Sequence, residues 1–426
     1  VSAQAPAAEP TERAHARHRD ETDPLASLRA QFVIPDDDLV YLDGNSLGRL
    51  SKAAVSRLEA VVRGQWGDRL IRSWNESWFD LPQRVGDFLG EHFLGAAPGQ
   101  VVVSDSTSVN LFKLAAAALD ARPGRDVIVS DLNNFPTDRY VLEGLAQARG
   151  LELRLVDFDE LVGPTAGQVA AVVDERTALV SLSQVDYRSA ALADLTSIND
   201  VVHGVGALVL WDLCHSAGAV PIDLDGSGTD LAVGCTYKYL NGGPGAPAFL
   251  YVRSELTKSL RQPIWGWFGQ NDQFTMGQGY DPAATASRFL VGTPQVIGVS
   301  LVDAGARLLA DAGNGAGIKA LRDKGVALTE YAIELFDAWL APLGFTLASP
   351  RDSAVRGSHV SLRHEESYRL CRALIEHENV VPDFRAPDRV RLGMAPATTR
   401  FTDVWDALDA LRRIVESGSY KEFGDS

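Results

Sequence analysis

The 426-residue sequence predicts an α/β protein, a large domain on a mainly parallel sheet followed by a smaller α+β C-terminal domain. Two observations predict this. From about residue 100, short apolar runs alternate with stretches of helical periodicity, the pattern of strands joined by crossover helices. Beyond residue 296 the pattern turns to long helices with two short strands between them. The composition, 46% hydrophobic and 23% charged, belongs to an ordinary globular protein with a sizeable core.

Residues 1–24 are rich in Ala, Pro, Glu, Arg and His and hold no apolar run, so they read as a disordered tail and not as a signal peptide. Residues 25–295 form the expected large domain and 296–426 the small one. Ser51 is placed to cap a helix with Ala54, Val55, Leu58, Val61 and Val62 on one face. Segment 63–82 carries Trp66, Trp74 and Trp78, a density that reads as core or subunit interface, with a ligand pocket as the alternative. Strands are expected at 100–103, 126–130, 151–156, 178–182, 207–211, 231–234 and 248–252. Helices are expected at 109–119, 138–148 and 195–205. The C-terminal part should give helices at 296–312, 316–340, 365–378 and 402–415, and strands at 359–362 and 390–392.

Charge and cysteine content exclude several classes. A formal charge of −16 argues against nucleic acid as a partner, which needs a basic face. No stretch approaches the length of a membrane span. The three cysteines, Cys214, Cys235 and Cys371, have no paired spacing, which fits neither a disulfide framework nor a zinc site. A cytoplasmic enzyme is the resulting expectation.

In an open parallel sheet, ligands bind at the carboxyl ends of the strands, so the functional residues are expected there. After the first strand come Ser106, Thr107 and Ser108 at a helix start. Hydroxyls there suit either simple capping or a phosphate seated on free backbone N–H groups. After the second come Phe135, able to stack on a flat ring, and Asp138, which equally fits the first turn of a helix. Ser183 ends the fourth strand, as a loop hydroxyl or a ligand contact. Asp212 ends the fifth, where a buried carboxylate requires a partner, and His215 follows three residues on. Metal is the lesser reading, because no third ligand has a suitable spacing. Lys238 follows the sixth strand and precedes a Gly-rich loop. Alone, it reads as a lysine reaching to solvent or as a desolvated nucleophile.

The combination is more specific than its parts. Asp212 and Lys238 stand on successive strand ends. Pyridoxal 5'-phosphate needs such a pair: a lysine for a Schiff base, and a carboxylate that keeps the pyridine nitrogen protonated. A phosphate-ready helix start and an aromatic ring complete the expected parts.

The residues reached here resemble the kynureninase family. The segments are Asp212-Leu-Cys-His215-Ser-Ala-Gly218, Cys235-Thr-Tyr237-Lys238-Tyr-Leu-Asn-Gly-Gly-Pro-Gly245, Tyr41-Leu-Asp-Gly-Asn-Ser-Leu-Gly48, Asn134-Phe-Pro-Thr-Asp138 and Gly266-Trp-Phe-Gly269. The resemblance implies a fold-type-I enzyme that hydrolyses L-kynurenine to anthranilate and L-alanine, with 3-hydroxykynurenine as a further substrate. It implies that Lys238 carries the cofactor and shuttles protons, Asp212 pairs with the pyridine nitrogen, and His215 supports the ring. Phe135 would stack on the ring, Asp138 would lie at its hydroxyl side, and Ser183 would line the site. Thr107, Ser108 and Tyr237 would hold the phosphate; hydration of the substrate carbonyl would need a general base, either Tyr237 or the cofactor phosphate. Trp267 and Thr293 would be supplied across a homodimer interface, with Trp74 and Trp267 on the substrate side. Arg391 would clamp the substrate carboxylate, with Arg385, Arg389 and Arg400 near it in sequence. The loop 185–190 has no glycine at its end, where the resemblance implies one.

Three other readings stand beside this one. A cysteine desulfurase would need a cysteine on a mobile loop, and an aminotransferase would share the cofactor motifs. A non-catalytic regulator on the same fold would need a fused binding segment. A nicotinamide oxidoreductase would need a Gly-x-Gly-x-x-Gly turn after an early strand, which the sequence lacks.

Overall fold

A computed structural model describes residues 9–424. Seven strands build the large sheet: β1 Val101–Val103, β2 Val127–Asp131, β3 Glu152–Val156, β4 Thr177–Ser183, β5 Leu208–Asp212, β6 Leu231–Gly234 and β7 Phe249–Val252. Their spatial order is β1-β7-β6-β5-β4-β2-β3. Every pairing is parallel except the two made by β7. All seven strands expected from the sequence are present, shifted at most a residue or so at their ends.

The central strands are buried on both faces, as the crossovers require. Val103, Val129, Val180, Val209, Trp211 and Ala232 face one apolar cluster, while Val102, Ile128, Leu179, Leu210 and Val233 face the other. Trp211 is fully buried because its indole N–H reaches Asn199 Oδ1 at 2.9 Å. Helices Thr107–Asp120, Pro136–Arg149 and Leu195–Gly204 connect the strands.

The small domain pairs four strands, β8 Thr346–Leu347, β9 His359–Arg363, β10 Asp383–Arg385 and β11 Arg389–Gly393, in the order β10-β11-β9-β8 across the sheet. All contacts are antiparallel. Helices Ile318–Leu335, Ser367–Glu378 and Phe401–Ser417 cover it. The sequence reading missed β8 and β10, which are two and three residues long and carry too little period-2 pattern to register.

Two boundaries differ from expectation. The helix Val296–Ala310, assigned to the small domain, packs Val299, Val302 and Ala306 into the large-domain core. The small domain's own core instead takes Ala16, Val40 and Leu42 from the chain's beginning. The tail reading is likewise corrected from residue 13 onward. Arg13–Glu21 is a helix, and Arg13 pairs with Asp406 at 2.6 Å. Asp20 accepts from the backbone N–H groups of Phe401 and Thr402 at 2.6 and 3.1 Å, acting as a cap from outside on a distant helix. Such a cap is set by tertiary docking, so local composition could not show it. Residues 1–8 of that reading lie outside the described residues.

The expected Ser51 cap forms: its side chain accepts from Ala54 N. Of the expected apolar face, Ala54 and Val61 are buried, while Val55, Leu58 and Val62 are exposed. Among the described residues no helix is long and apolar enough to cross a membrane.

Candidate active site

The carboxyl ends of β2, β4, β5 and β6 open on a cavity of about 200 Å³. Its lining includes Thr107, Ser108, Phe135, Asp138, Ser183, Asp212, His215, Tyr237 and Lys238. Nine of the residues singled out from separate strand ends therefore share one chamber. Parallel strands do this because all their carboxyl ends lie on one edge.

The phosphate side resolves an ambiguity. Ser106, not Thr107 or Ser108, caps the Thr107–Asp120 helix through Val109 N. Thr107 and Ser108 are thus left to face the cavity from the helix start, where the backbone favours an anion. Thr107 Oγ1 lies 3.7 Å from Cys214 Sγ.

The wall opposite is set by β4 and the loop after β2. Ser183 donates to Asn134 Oδ1 at 2.7 Å, and that same oxygen accepts from Phe135 N at 2.8 Å. Asn134 thereby fixes the loop that presents Phe135, whose ring meets Tyr187 edge-on at 5.3 Å. Ser183 acts here through Asn134 as well as lining the site. Asn134, Thr137 and Tyr187 were not singled out as site residues; only their flanking motif was.

Asp212 ends β5 with Oδ1 accepting from Cys214 N at 2.7 Å. Asp138 is buried beside it. Burial first, then the neighbouring Asp212, push the Asp138 carboxyl well above its ordinary range. Among the described residues, neither Asp138 Oδ2 nor Asn134 Nδ2 has a hydrogen-bond partner.

Lys238 Nζ lies 3.0 Å from His215 Nε2. Burial, and then Lys238 and Arg391, push the His215 ring well below its ordinary range, so it is neutral and Nε2 accepts from the amine. Its Nδ1 is buried without a partner. His359, unflagged by the sequence, packs its ring 5.5 Å from His215 and is also held neutral by burial, then by Arg391 and Lys238. Tyr237 is pushed above its ordinary range by burial, so its hydroxyl keeps its proton.

The segment 43–48 lies between Lys238 and the small domain. Gly48 N donates to Tyr237 O at 2.8 Å, and a Cβ at Gly48 would lie 2.3 Å from the Lys238 carbonyl oxygen. Arg391, fully buried on β11, donates to Tyr187 O at 2.6 Å and to Ser46 Oγ at 3.0 Å, and pairs with Asp383. With the Asn45 amide in its satisfied orientation, Arg391 Nε also donates to Asn45 at 3.0 Å. The rival arginines separate. Arg389 pairs with Glu160, and Arg400 with Asp403 at 2.8 Å. Arg385 stays near, paired with Asp383 at 2.8 Å.

Four expected site residues lie outside the lining of this cavity: Arg391, buried behind Tyr187, and three others. Trp267 is exposed and lines a separate hollow with Trp265 and Tyr280. Trp74 packs against Trp78 and Phe268. Thr293 is exposed in the loop before Val296–Ala310. The missing glycine of loop 185–190 is also accounted for: Ala190 itself adopts φ +68°, the left-handed conformation that glycine favours.

The chamber fits pyridoxal phosphate. Phe135 walls the cavity, and the orphaned Asp138 Oδ2, Asn134 Nδ2 and His215 Nδ1 are buried polar atoms of the kind a bound ligand satisfies. Lys238 and Asp212 stand at the same chamber, with two free hydroxyls at a helix start.

The fold is that of the fold-type-I pyridoxal-phosphate enzymes. The solved cysteine desulfurase of Thermococcus onnurineus superposes with a TM-score of 0.78 at 18% identity, covering 92% of this chain and 98% of that one. The cysteine desulfurase CsdA of Escherichia coli gives 0.77 at 20%, covering 92% and 98%. At such identities the likeness shows the fold alone. The profile of the DegT/DnrJ/EryC1/StrS aminotransferase family matches residues 71–226, and that of the kynureninase C-terminal domain matches 321–411. The chain belongs to the kynureninase family: it is 43% identical over 410 residues to the kynureninase of Pseudomonas fluorescens, covering 95% of each. It is 44% identical over 409 residues to that of Burkholderia pseudomallei, covering 94% of this chain and 95% of the relative.

Proposed function

We propose that this protein is a pyridoxal-phosphate-dependent hydrolase that cleaves L-kynurenine to anthranilate and L-alanine. The observation that carries the reading is the convergence of Lys238, Asp212, His215 and the Thr107–Ser108 helix start on one chamber, in a chain of this family. The cofactor supplies an electron sink that makes the bond between the substrate's β and γ carbons breakable.

The chain's residues supply the rest. Lys238 holds the cofactor and moves the α-proton. Neutral His215, 3.0 Å from Lys238 Nζ, orients that amine. Asp212 serves the ring nitrogen, its position fixed by the Cys214 N–H. In this reading Thr107, Ser108 and Tyr237 hold the phosphate, and Tyr237, still protonated, donates to the substrate's γ-carbonyl oxygen as water adds to that carbonyl. Phe135 stacks on the ring. Arg391 takes the substrate carboxylate, the two-pronged match for which guanidinium is suited.

A homodimer completes the site in this reading, with Trp267, Thr293 and Trp74 facing the partner's chamber. Exposed Leu50, Leu58, Trp66, Leu70, Ile71 and Trp265 support it, since apolar surface on this scale favours association. The three cysteines are all buried and free, which suits the cytoplasm. A desulfurase role finds no support: Cys371 is buried in a helix, Cys214 is buried in the chamber wall, and Cys235 is buried against Cys214.

The test is product analysis. Purified protein with added pyridoxal phosphate should release anthranilate and alanine from L-kynurenine. Comparing kcat/KM with 3-hydroxykynurenine sets the preference. Sulfide from cysteine, or keto acids without anthranilate, would overturn the assignment.

A further inference from the structure

The pair Arg391 and Arg385 poses a question that the carboxylate clamp alone does not answer. Both guanidinium groups converge on one acid, Asp383: Arg385 Nε at 2.8 Å, and Arg391 through Nη2. Asp383 stands directly across from Arg391 in the β10–β11 ladder, so the register itself fixes that pairing. A second acid, Asp43, lies in the same cluster. Burial pushes its carboxyl up, and its charge is therefore disfavoured there. Asp383 is thus the acid that both guanidinium groups contact directly, with Asp43 behind it in the same cluster.

We propose that Asp383 is the positioning residue of the substrate-carboxylate site, holding Arg391 and Arg385 as a pair that together receives the carboxylate. This rests on the reading of Arg391 as the clamp. The guanidinium of Arg391 is fully buried, and its remaining contacts, to Tyr187 O, Ser46 Oγ and Asn45, are all neutral. Asp383 is the anion it pairs with directly, across the strand ladder. Neutral partners yield to an incoming carboxylate more readily than an ion pair does. Asp383 therefore stays, and the carboxylate exchanges with the neutral groups. Without Asp383 the two arginines lose the acid they share, and a buried guanidinium deprived of its direct partner leaves its place. Arg385 becomes a second specificity residue of the same site.

The experiment uses the cofactor-loaded enzyme and three variants, Asp383→Asn, Arg385→Gln and Arg391→Lys. Each is assayed with L-kynurenine, and with the same amino ketone lacking the α-carboxylate as a competitive inhibitor. Asp383→Asn should raise KM for L-kynurenine by about ten- to a hundredfold, with kcat changed far less and inhibition by the decarboxylated amine unaltered. Arg385→Gln, at a partly exposed position that folding tolerates, should raise KM by roughly three- to tenfold. An unchanged or lowered KM in both variants overturns the proposal. So does an equal loss of affinity for the decarboxylated amine, which marks a merely structural role. If Arg391→Lys also leaves KM unchanged, the clamp reading itself fails. If that variant weakens binding while the other two are silent, only the role of Asp383 is lost.

Discussion

The surroundings of Lys238 and those of Arg391 are built on opposite principles. Around Lys238 the buried polar atoms are left wanting: among the described residues Asp138 Oδ2, Asn134 Nδ2 and His215 Nδ1 have no partner. Around Arg391 the guanidinium is engaged by Tyr187, Ser46, Asn45 and Asp383. In the proposed reading the first, cofactor half is a mould that a resident group fills once. The second, carboxylate half then exchanges partners at each turnover, and its empty state is already satisfied. A permanent ligand tolerates orphaned atoms in the empty protein, because it is seldom absent; a transient one does not.

The largest effect should come from the mould. Lys238→Ala should lose nearly all activity and the absorption band of lysine-bound cofactor. An intact band would place the cofactor lysine elsewhere and dissolve the comparison. Next, Tyr237→Phe should retain the cofactor but slow turnover by about a hundredfold, the usual worth of a positioned proton donor. Unchanged turnover in a stopped-flow or steady-state assay would remove the hydroxyl from the chemistry and leave it as a phosphate contact.

A smaller effect tests the electrostatics at the chamber's edge. Burial first, then Asp186 and Asp157, raises Asp131 at the end of β2 from its ordinary 3.8 to about 7. The folded chain then holds this proton over a range in which the unfolded chain has released it. The contribution to stability is therefore greatest at low pH and declines as pH rises from about 4 to about 7. Asp131→Asn should flatten that slope and raise the unfolding temperature at pH 8, where the wild-type carboxylate is charged. Equal pH profiles of the two proteins in thermal unfolding would refute it.

The smallest effect concerns loop 185–190, which joins the two halves: Tyr187 lines the chamber and its carbonyl accepts from Arg391. Ala190 holds φ +68° while fully buried. Ala190→Gly should leave stability within about 1 kcal/mol, because relief of the left-handed backbone is offset by the lost methyl and by chain entropy. Ala190→Val should cost about 2 kcal/mol or more, since a branched side chain is excluded from that conformation. Denaturant unfolding of the two variants measures the difference.

Legibility followed the same division. The cofactor half was readable because each strand end is local: a few apolar residues followed by Asp212, Lys238 or Ser183 announce themselves, and the parallel sheet gathers them without further information. Thr107 and Ser108 were readable too, though their freedom from capping duty became clear only when Ser106 took it. The carboxylate half was less readable. Four nearby arginines look alike in sequence, and which one turns inward depends on strand register and on Glu160 arriving from elsewhere to take Arg389; only Asp403, three residues beyond Arg400, is a local partner. His359 gave no signal, because it lies in the small domain, and Tyr187 was named only as part of the loop after β4.

The sequence by itself determined the alternation of strands and helices, the edge on which ligands sit, the lysine–aspartate pair and the family. These follow from hydrophobic period and from side chains fixed by their own strand. Only the tertiary structure decided that Arg13–Glu21 docks on the small domain, that Val296–Ala310 joins the large core, and that Arg391 is buried behind Tyr187 with Asp383 across from it. Those outcomes rest on contacts between residues far apart in the chain, whose free energies depend on what each surface meets and not on what surrounds it in sequence.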